Sequence, residues 1–354
     1  MTLLTAKSKA HRFLVAQSRP GIDRARSAAQ AFIASDAKIQ IVHPFNDLSG
    51  VDGYVDGFLS SLHASFSNLT RRTDILIGGN FDDSAWVSCH GYFTGNFTAD
   101  WLGLTHSNRL EFMRYGEFFR IKDGQAVEVT GFLDIPQLMC ATGQWPIHDS
   151  PGATRGYVGV MPGPATQDGL VLTDQADDIT NRTLDIVETM LRALGHTDQA
   201  WRANWHDDMM WYGPAGFGAF SGLADFSSFQ VPFEQAFDTW SGGYSGNGVT
   251  RHFTRFADGH YACIAGWPSL MCKRRHSFLD QPSDDQTVYM RVCDWWRRDT
   301  DKLAENWVLV DLPDVLLQMG CDLFEGFHDQ PSGPRKIIPA ARAVDDMKGS
   351  YDAG

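Results

Sequence analysis

Long apolar runs are missing from this chain. No stretch approaches the ~18 residues of a membrane span. The N-terminal twenty residues carry basic side chains but no continuous apolar segment of the kind a secretory signal needs. Cysteine is sparse and unpatterned. Cys89, Cys140, Cys263, Cys272, Cys293 and Cys321 form no CxxC pair and no metal-ligand spacing. Reduced thiols in a cytoplasmic chain are therefore expected, and Cys89 and Cys263 sit inside strand-like apolar runs. No HxH, HExxH or histidine–carboxylate cluster points to a metal, so none is expected. No nucleophile elbow, P-loop or dinucleotide fingerprint follows a strand, which argues against hydrolase, kinase and dehydrogenase readings. Cationic charge is also short: 30 Lys and Arg face 43 Asp and Glu, a net charge of −13. That balance argues against a nucleic-acid partner and against an anionic membrane surface.

What the chain does have is an internal repeat. Residues 115–143 return without a gap as residues 292–320 at one offset, 177 residues, as from Asp134 to Asp311. At that offset Glu117 meets Asp294, Phe118-Phe119 meets Trp295-Trp296, Arg120 meets Arg297, and Pro136 meets Pro313. The 354 residues are read as two copies of one domain. The boundaries expected are 21–145 and 182–328, with a Gly/Pro-rich linker or lid at 146–181 and an arm at 329–354. Residues before Pro20 read as a further arm.

Within the first copy the pattern predicts a helix over 22–34, a short strand ending at His43-Pro44, and Asp47–Gly50 turn chemistry. A second helix has Tyr54, Phe58, Leu62 and Phe66 on one face, the pattern of ordinary core packing. Strands follow at 73–78, 85–93, 109–120 and 125–133, the last two joined by an Asp123-Gly124 hairpin. The second copy repeats the order, with helices at 183–194, 199–206 and 226–240 and strands at 209–212, 251–256, 261–266, 287–298 and 303–310. The apolar Tyr157–Met161 stretch leaves a lid reading open for the linker.

This order resembles the SnoaL-like polyketide cyclases of the nuclear-transport-factor-2-like superfamily. The residues that carry the resemblance are His43-Pro44 with Leu48-Ser49-Gly50, the stretch Gly91-Tyr-Phe-Thr-Gly-Asn-Phe97, Phe119–Gly124 followed by Glu128, and His206–Pro214. The resemblance implies an α+β, cystatin-like architecture: two cone-shaped, curved antiparallel sheets, each wrapped around helices and open at one end. It implies that such domains pair sheet to sheet, so the two copies could form a pseudo-dimer within the chain; a homodimer of chains is left open. It does not choose a reaction, since one fold hosts many.

An apolar cone gives a carboxyl a chemical use. Desolvation raises its pKa, and a carboxyl so raised can shuttle protons near neutral pH without a cofactor. Ketosteroid isomerase, one of the standard cases of such tuning, shares the fold by the same resemblance. Asp134 and Asp311 are the first candidates, each ending an apolar strand before a proline; each could equally cap the helix that follows. Strand alternation groups Thr130, Phe132 and Asp134 on one face, and Trp307, Leu309 and Asp311 on another. Glu117 and Asp294, mid-strand before aromatic pairs, are either solvent-facing or buried and functional. His90 and His252 are strand histidines that could act or merely be structural. Trp296, Trp307, Tyr212, Trp267, His43 and Tyr92 are candidates for contact with a flat substrate. The copies differ, and the tryptophan-rich second one is favoured as the functional one. The expected activity is of the cyclase, isomerase or lyase kind on a carbonyl-containing or aromatic small molecule. A non-catalytic binder of the same fold is the alternative. A protein-interaction module would instead show a large apolar patch on an uncovered sheet face.

Overall fold

Strand alternation organises everything that follows, because each sheet has a different neighbour on each face. The computed structural model describes residues 2–147, 163–194, 198–242 and 251–324. The Tyr157–Met161 stretch and the 329–354 arm lie outside the described residues.

The first copy runs α1 (Leu3–Ala16), α2 (Ile22–Phe32), β1 (Ile33–Ile41), β2 (Asn46–Ser49) and α3 (Gly50–Tyr54). A π turn at Val55–Leu59 carries α3 into α4 (Ser60–Ser65). Then come β3 (Phe66–Phe81), β4 (Ser84–Phe97), β5 (Leu110–Lys122), β6 (Gln125–Leu133) and α5 (Ile135–Ala141). The second copy runs α6 (Asp177–Ala193), a 3-10 turn (Ala200–Asn204), β7 (Trp205–Tyr212), β8 (Ala219–Ser221), α7 (Leu223–Ala236), β9 (Phe237–Gly242), β10 (His252–Asp258), β11 (Tyr261–Arg274), β12 (Thr287–Asp299), β13 (Lys302–Val310) and α8 (Leu312–Gln318). The sheet orders are β2-β1-β6-β5-β4-β3 and β10-β11-β12-β13-β7-β8, with β9 on β11. Both sheets are mixed rather than purely antiparallel: β1 runs parallel to β6, and β7 parallel to β13. A helix separates each of these first strands from the hairpin it joins, and that crossover permits the parallel pairing.

The β5–β6 hairpin forms where expected. Asp123 and Gly124 both take positive φ, 49° and 84°, the backbone a two-residue primed turn requires. Other expectations change. The N-terminal arm is a helix: Ala6, Ala10, Phe13 and Leu14 of α1 are buried on one stripe against the first sheet. The helix expected over 226–240 ends at Ala236, because Phe237–Gly242 pairs with β11 as β9.

The two sheets pack outer face to outer face. Trp295 of β12 stacks on Phe118 of β5, ring centroids 5.0 Å apart. The Trp295 Nε1–H donates to Ser88 Oγ at 3.0 Å, and Phe132 meets Trp267 edge-on at 5.5 Å. Gly116 is required here, since a Cβ at that position would lie 2.3 Å from the Trp295 ring. The chain thus forms its own pseudo-dimer. Lys7 of α1 adds a buried ion pair to Asp258 of β10 at 2.8 Å. Part of the stretch expected as a linker runs along the free edge of β3: Leu76 N–H donates to Gly169 O and Val171 N–H to Leu76 O. That covers an edge otherwise open to pairing. The second domain begins earlier than expected, since α6 starts at Asp177.

Candidate functional site

The alternation divides the candidate residues by face. In β5 the even positions Gly116 and Phe118 touch the second domain, so Glu117, Tyr115 and Phe119 face the helices of the first cone. In β12 the odd position Trp295 touches the first domain, so Asp294 and Trp296 face the second cone. Asp134 and Asp311, with Phe132 and Trp307 on their faces, lie on the outer side between the domains.

Asp134 and Asp311 are held as caps and cross-domain anchors. Asp134 accepts from Arg114 Nη2 at 2.9 Å, from the Gln137 N–H that it caps, and from the Ala215 N–H of the second domain. Arg114 also donates to the carbonyls of Tyr212, Gly213 and Val308. The pattern repeats at the offset of 177. Asp311 accepts from Arg291 Nη1 at 2.8 Å, from the Asp314 N–H that it caps, and from the His43 N–H of the first domain. Burial raises the Asp311 pKa to about 6 against these donors. Both carboxyls are sealed, at 1% and 0% exposure, leaving no oxygen for a substrate.

His90 is buried between the domains, 5.3 Å from the Trp295 ring and 6.4 Å from that of Trp307. Burial, with Arg114 adding repulsion, holds its pKa well below the usual histidine range. Trp307 stacks on Tyr212 at 5.4 Å, and Trp267 lies under the Arg291 guanidinium at 4.4 Å. Tyr92 shares a rung with Arg114 and packs on Phe112. His43 is half-buried with its ring 5.6 Å from Phe324. The structure therefore gathers eight candidates at or beside the interdomain face rather than in a cone.

Glu117 lies inside the first cone, which is full. It is ion-paired with Arg71 and accepts from the Tyr54 hydroxyl at 2.8 Å. The Arg71 guanidinium sits 4.0 Å over the Tyr115 ring. Phe13 of α1 closes the space against Phe32, Tyr54 and Phe119. The helix expected as an arm is thus the plug of this cone.

The second cone differs at its acid. Asp294 has one hydrogen-bond partner among the described residues, Asn306 Nδ2 at 3.3 Å, and no cation pairs with it there. Burial raises its pKa to about 7, with the Asn306 hydrogen bond opposing. Along β12 and β13 the inward residues Val292, Asp294, Val308 and Val310 keep 6–9% exposure, while outward Cys293, Trp295, Trp307 and Leu309 keep at most 1%. In the first cone Tyr115, Phe119 and Val129 keep none. Around Asp294 the second concave face thus keeps more accessible surface than the first keeps around Glu117. His252 pairs with Gly266 and through it shares the face of Val292; burial and Arg255 lower its pKa to about 3.

A separate open cleft of about 400 Å³ lies at the outer face, lined by His206, Asp208, Tyr212, Arg297 and Glu305 among others. Its Glu305 is already paired with Arg297 and accepts from the Ala165 N–H. The other acids of the cleft, Asp208 and Asp299, are exposed to water, so Asp294, which is buried, is the better candidate. Among the described residues no group of three or more His, Cys, Asp or Glu side chains could hold a metal ion. No helix there is long and apolar enough to cross a membrane. The exposed large hydrophobics, Val15, Leu110, Leu170, Tyr289 and Leu317, come from separate elements.

Sequence reasoning missed Arg71, Arg114, Arg291 and Asn306. The repeat could have given the second and third, since they also stand 177 apart. Asn306 is a polar residue in an apolar strand, directly across from Trp296.

No family model matches the chain, and no curated protein matches it. Solved structures similar to it include AclR, a candidate hydroxylase from Streptomyces galilaeus, at 15% identity and TM-score 0.34, covering 40% of this chain and 97% of that one. A candidate SnoaL-like polyketide cyclase from Jannaschia sp. CCS1 matches at 18% identity and TM-score 0.31, covering 38% and 89%. A protein with a ketosteroid isomerase-like fold from Catenulispora acidiphila, in complex with trimethylamine, matches at 13% identity and TM-score 0.31, covering 39% and 95%. Each spans about the length of one copy of the repeat, and none bears on a residue or a reaction here.

Proposed function

We propose that the protein is a cofactor-independent acid/base enzyme of the cyclase, isomerase or lyase kind, and that Asp294 in the second cone moves the proton. The observation that carries this is the state of Asp294. It is the one candidate carboxyl that faces a cone, keeps accessible surface and has no cation beside it among the described residues. A carboxyl with a pKa near 7 divides between acid and base at neutral pH, the condition for efficient proton transfer in both directions. Its walls, Val292, Val308 and Val310, give an apolar surrounding suited to the carbon skeleton of a small carbonyl compound. The carboxylate would take a proton from the carbon beside a carbonyl and return it to another atom of the same molecule. The first copy then serves as support, its equivalent acid locked by Arg71.

The test is exchange of the α-hydrogens of α-tetralone in heavy water, followed by NMR. The native chain should accelerate exchange with a profile rising through about pH 7. Asp294→Asn should remove roughly 100-fold or more of that rate. A variant of the first cone, Arg71→Met with Glu117→Leu, should keep it. Exchange that survives in Asp294→Asn overturns the assignment. The alternative is a non-catalytic binder, which fits the fact that among the described residues only Asn306 is hydrogen-bonded to Asp294; tetralone bound without any exchange would select it.

A further inference from the structure

The second cone contains a donor with nothing to donate to. Trp296 is 2% exposed, and its Nε1–H has no hydrogen-bond partner among the described residues. An indole nitrogen can only donate, and buried donors are nearly always paired. Trp295, one residue earlier and on the opposite face, is satisfied by Ser88. Trp296 stands two residues from Asp294 on the same face of β12, directly across from Asn306. Asn306 Nδ2 is already engaged with Asp294 and with the Trp295 carbonyl at 3.0 Å. Trp201 and Trp205 also have unpartnered indole N–H groups, but the one on Trp296 stands on the strand and face of the acid.

The repeat sharpens the point. The first-copy counterparts of Asp294 and Trp296, at the same offset, are Glu117 and Phe119. Where the acid is locked by Arg71, the neighbouring ring carries no N–H. Where the acid is uncompensated, the ring carries one.

Building on the proposed proton transfer by Asp294, we infer that Trp296 is a second catalytic residue whose indole N–H holds a substrate oxygen as it becomes anionic, an enolate or phenolate. As the C–H proton passes to the Asp294 carboxylate, the C–H electron pair forms the new carbon–carbon π bond. The carbonyl π pair moves onto oxygen, and the N–H donates to that oxygen. Return of the proton reverses the flow. A donor fixed in an apolar site favours the charged oxygen over the neutral carbonyl, which is the selectivity catalysis needs.

The test uses two probes of nearly one shape, 4-nitrophenol, which can ionise, and 4-nitroanisole, which cannot. Binding to the full chain is followed at pH 7 by absorbance, which reports the ionised fraction of bound nitrophenol directly. Trp296→Phe keeps a ring and removes the donor. It should weaken nitrophenol about tenfold and lower its ionised fraction, while nitroanisole changes less than twofold. Trp296→His restores an aromatic N–H and should recover part of the ionised fraction. In the native chain one indole N–H resonance should move on adding nitrophenol and stay put with nitroanisole, a readout that needs no folded variant. Equal weakening of both probes by Trp296→Phe would reduce Trp296 to a packing residue, as would an unmoved indole resonance. Either result leaves tetralone exchange by Asp294 standing. Loss of the Asp294 assignment would show instead as exchange that persists in Asp294→Asn.

Discussion

Replacing Asp294 by asparagine should make the protein more stable, and only above a particular pH. The carboxyl titrates near 7 in the fold and near 3.9 in an unfolded chain, a difference of about 3 units. The folded form therefore holds its proton longer than the unfolded form does. Stability from this group is full below about pH 4, falls between pH 4 and 7, and has been lost by pH 8. At about 1.36 kcal/mol per unit the ceiling of that loss is about 4 kcal/mol. Asparagine is neutral at every pH and nearly the same size, so it removes the penalty without opening a cavity. Urea unfolding of native and Asp294→Asn chains at pH 8 and pH 4 reads the effect through tryptophan fluorescence. The variant should gain about 2–4 kcal/mol at pH 8 and close to nothing at pH 4. An equal gain at both pH values would mean a packing effect. No gain at pH 8 would mean that Asp294 is solvated in the fold, and the proton-transfer reading would fall with it.

Glu117→Gln should do the opposite. It leaves the Arg71 guanidinium buried without its counter-charge, at a cost of about 3–5 kcal/mol, whereas Arg71→Met with Glu117→Leu should recover most of the loss in the same urea experiment. His90 and His252 both contribute to an acid limb. For His90 the folded pKa lies well below the usual value, so the unfolded chain takes up a proton first and stability falls by about 1.4 kcal/mol per unit below pH 6.5. His90→Leu should reduce the slope between pH 6.5 and 5 by about 1.4 kcal/mol per unit, leaving the part due to His252; an unchanged slope would show that His90 does not titrate on unfolding.

Much of the architecture was legible because duplication doubles each signal. The hairpin turn, the strand-ending acids and the aromatic pairs each occur twice at one spacing, and the pairing they predict is present. The α1 helix was not read, because its basic residues Lys7, Lys9, His11 and Arg12 hid a short stripe of alanine, phenylalanine and leucine. Lys7 in particular is buried against a partner 251 residues away, and nothing local in the sequence announces that. The candidate acids were found, but their ranking was not. Alternation grouped Asp134 with Phe132 and Asp311 with Trp307, as the structure has it. What it could not supply is which face of a sheet turns to its own helices and which to the sister domain, since both faces are buried and equally apolar.

That ambiguity follows from the pseudo-dimer itself. In a lone curved sheet the outer face meets water, so an acid there would be expected among polar neighbours. Here the outer face of each copy is the other copy's core, and its acids must be paired as strictly as any in an interior. Arg114 with Asp134, and Arg291 with Asp311, meet that demand in both halves, each reaching the opposite domain through backbone or asparagine. The outward pairs are therefore held alike by a shared structural duty. The inward acids have no such duty in common, and they differ: one is held in an ion pair, and the other is left uncompensated. A buried carboxyl without a cation works against folding wherever it stands. Among the described residues, the acid that faces a cone from this strand position lacks a cation in the second copy alone, as expected if that copy carries the chemistry.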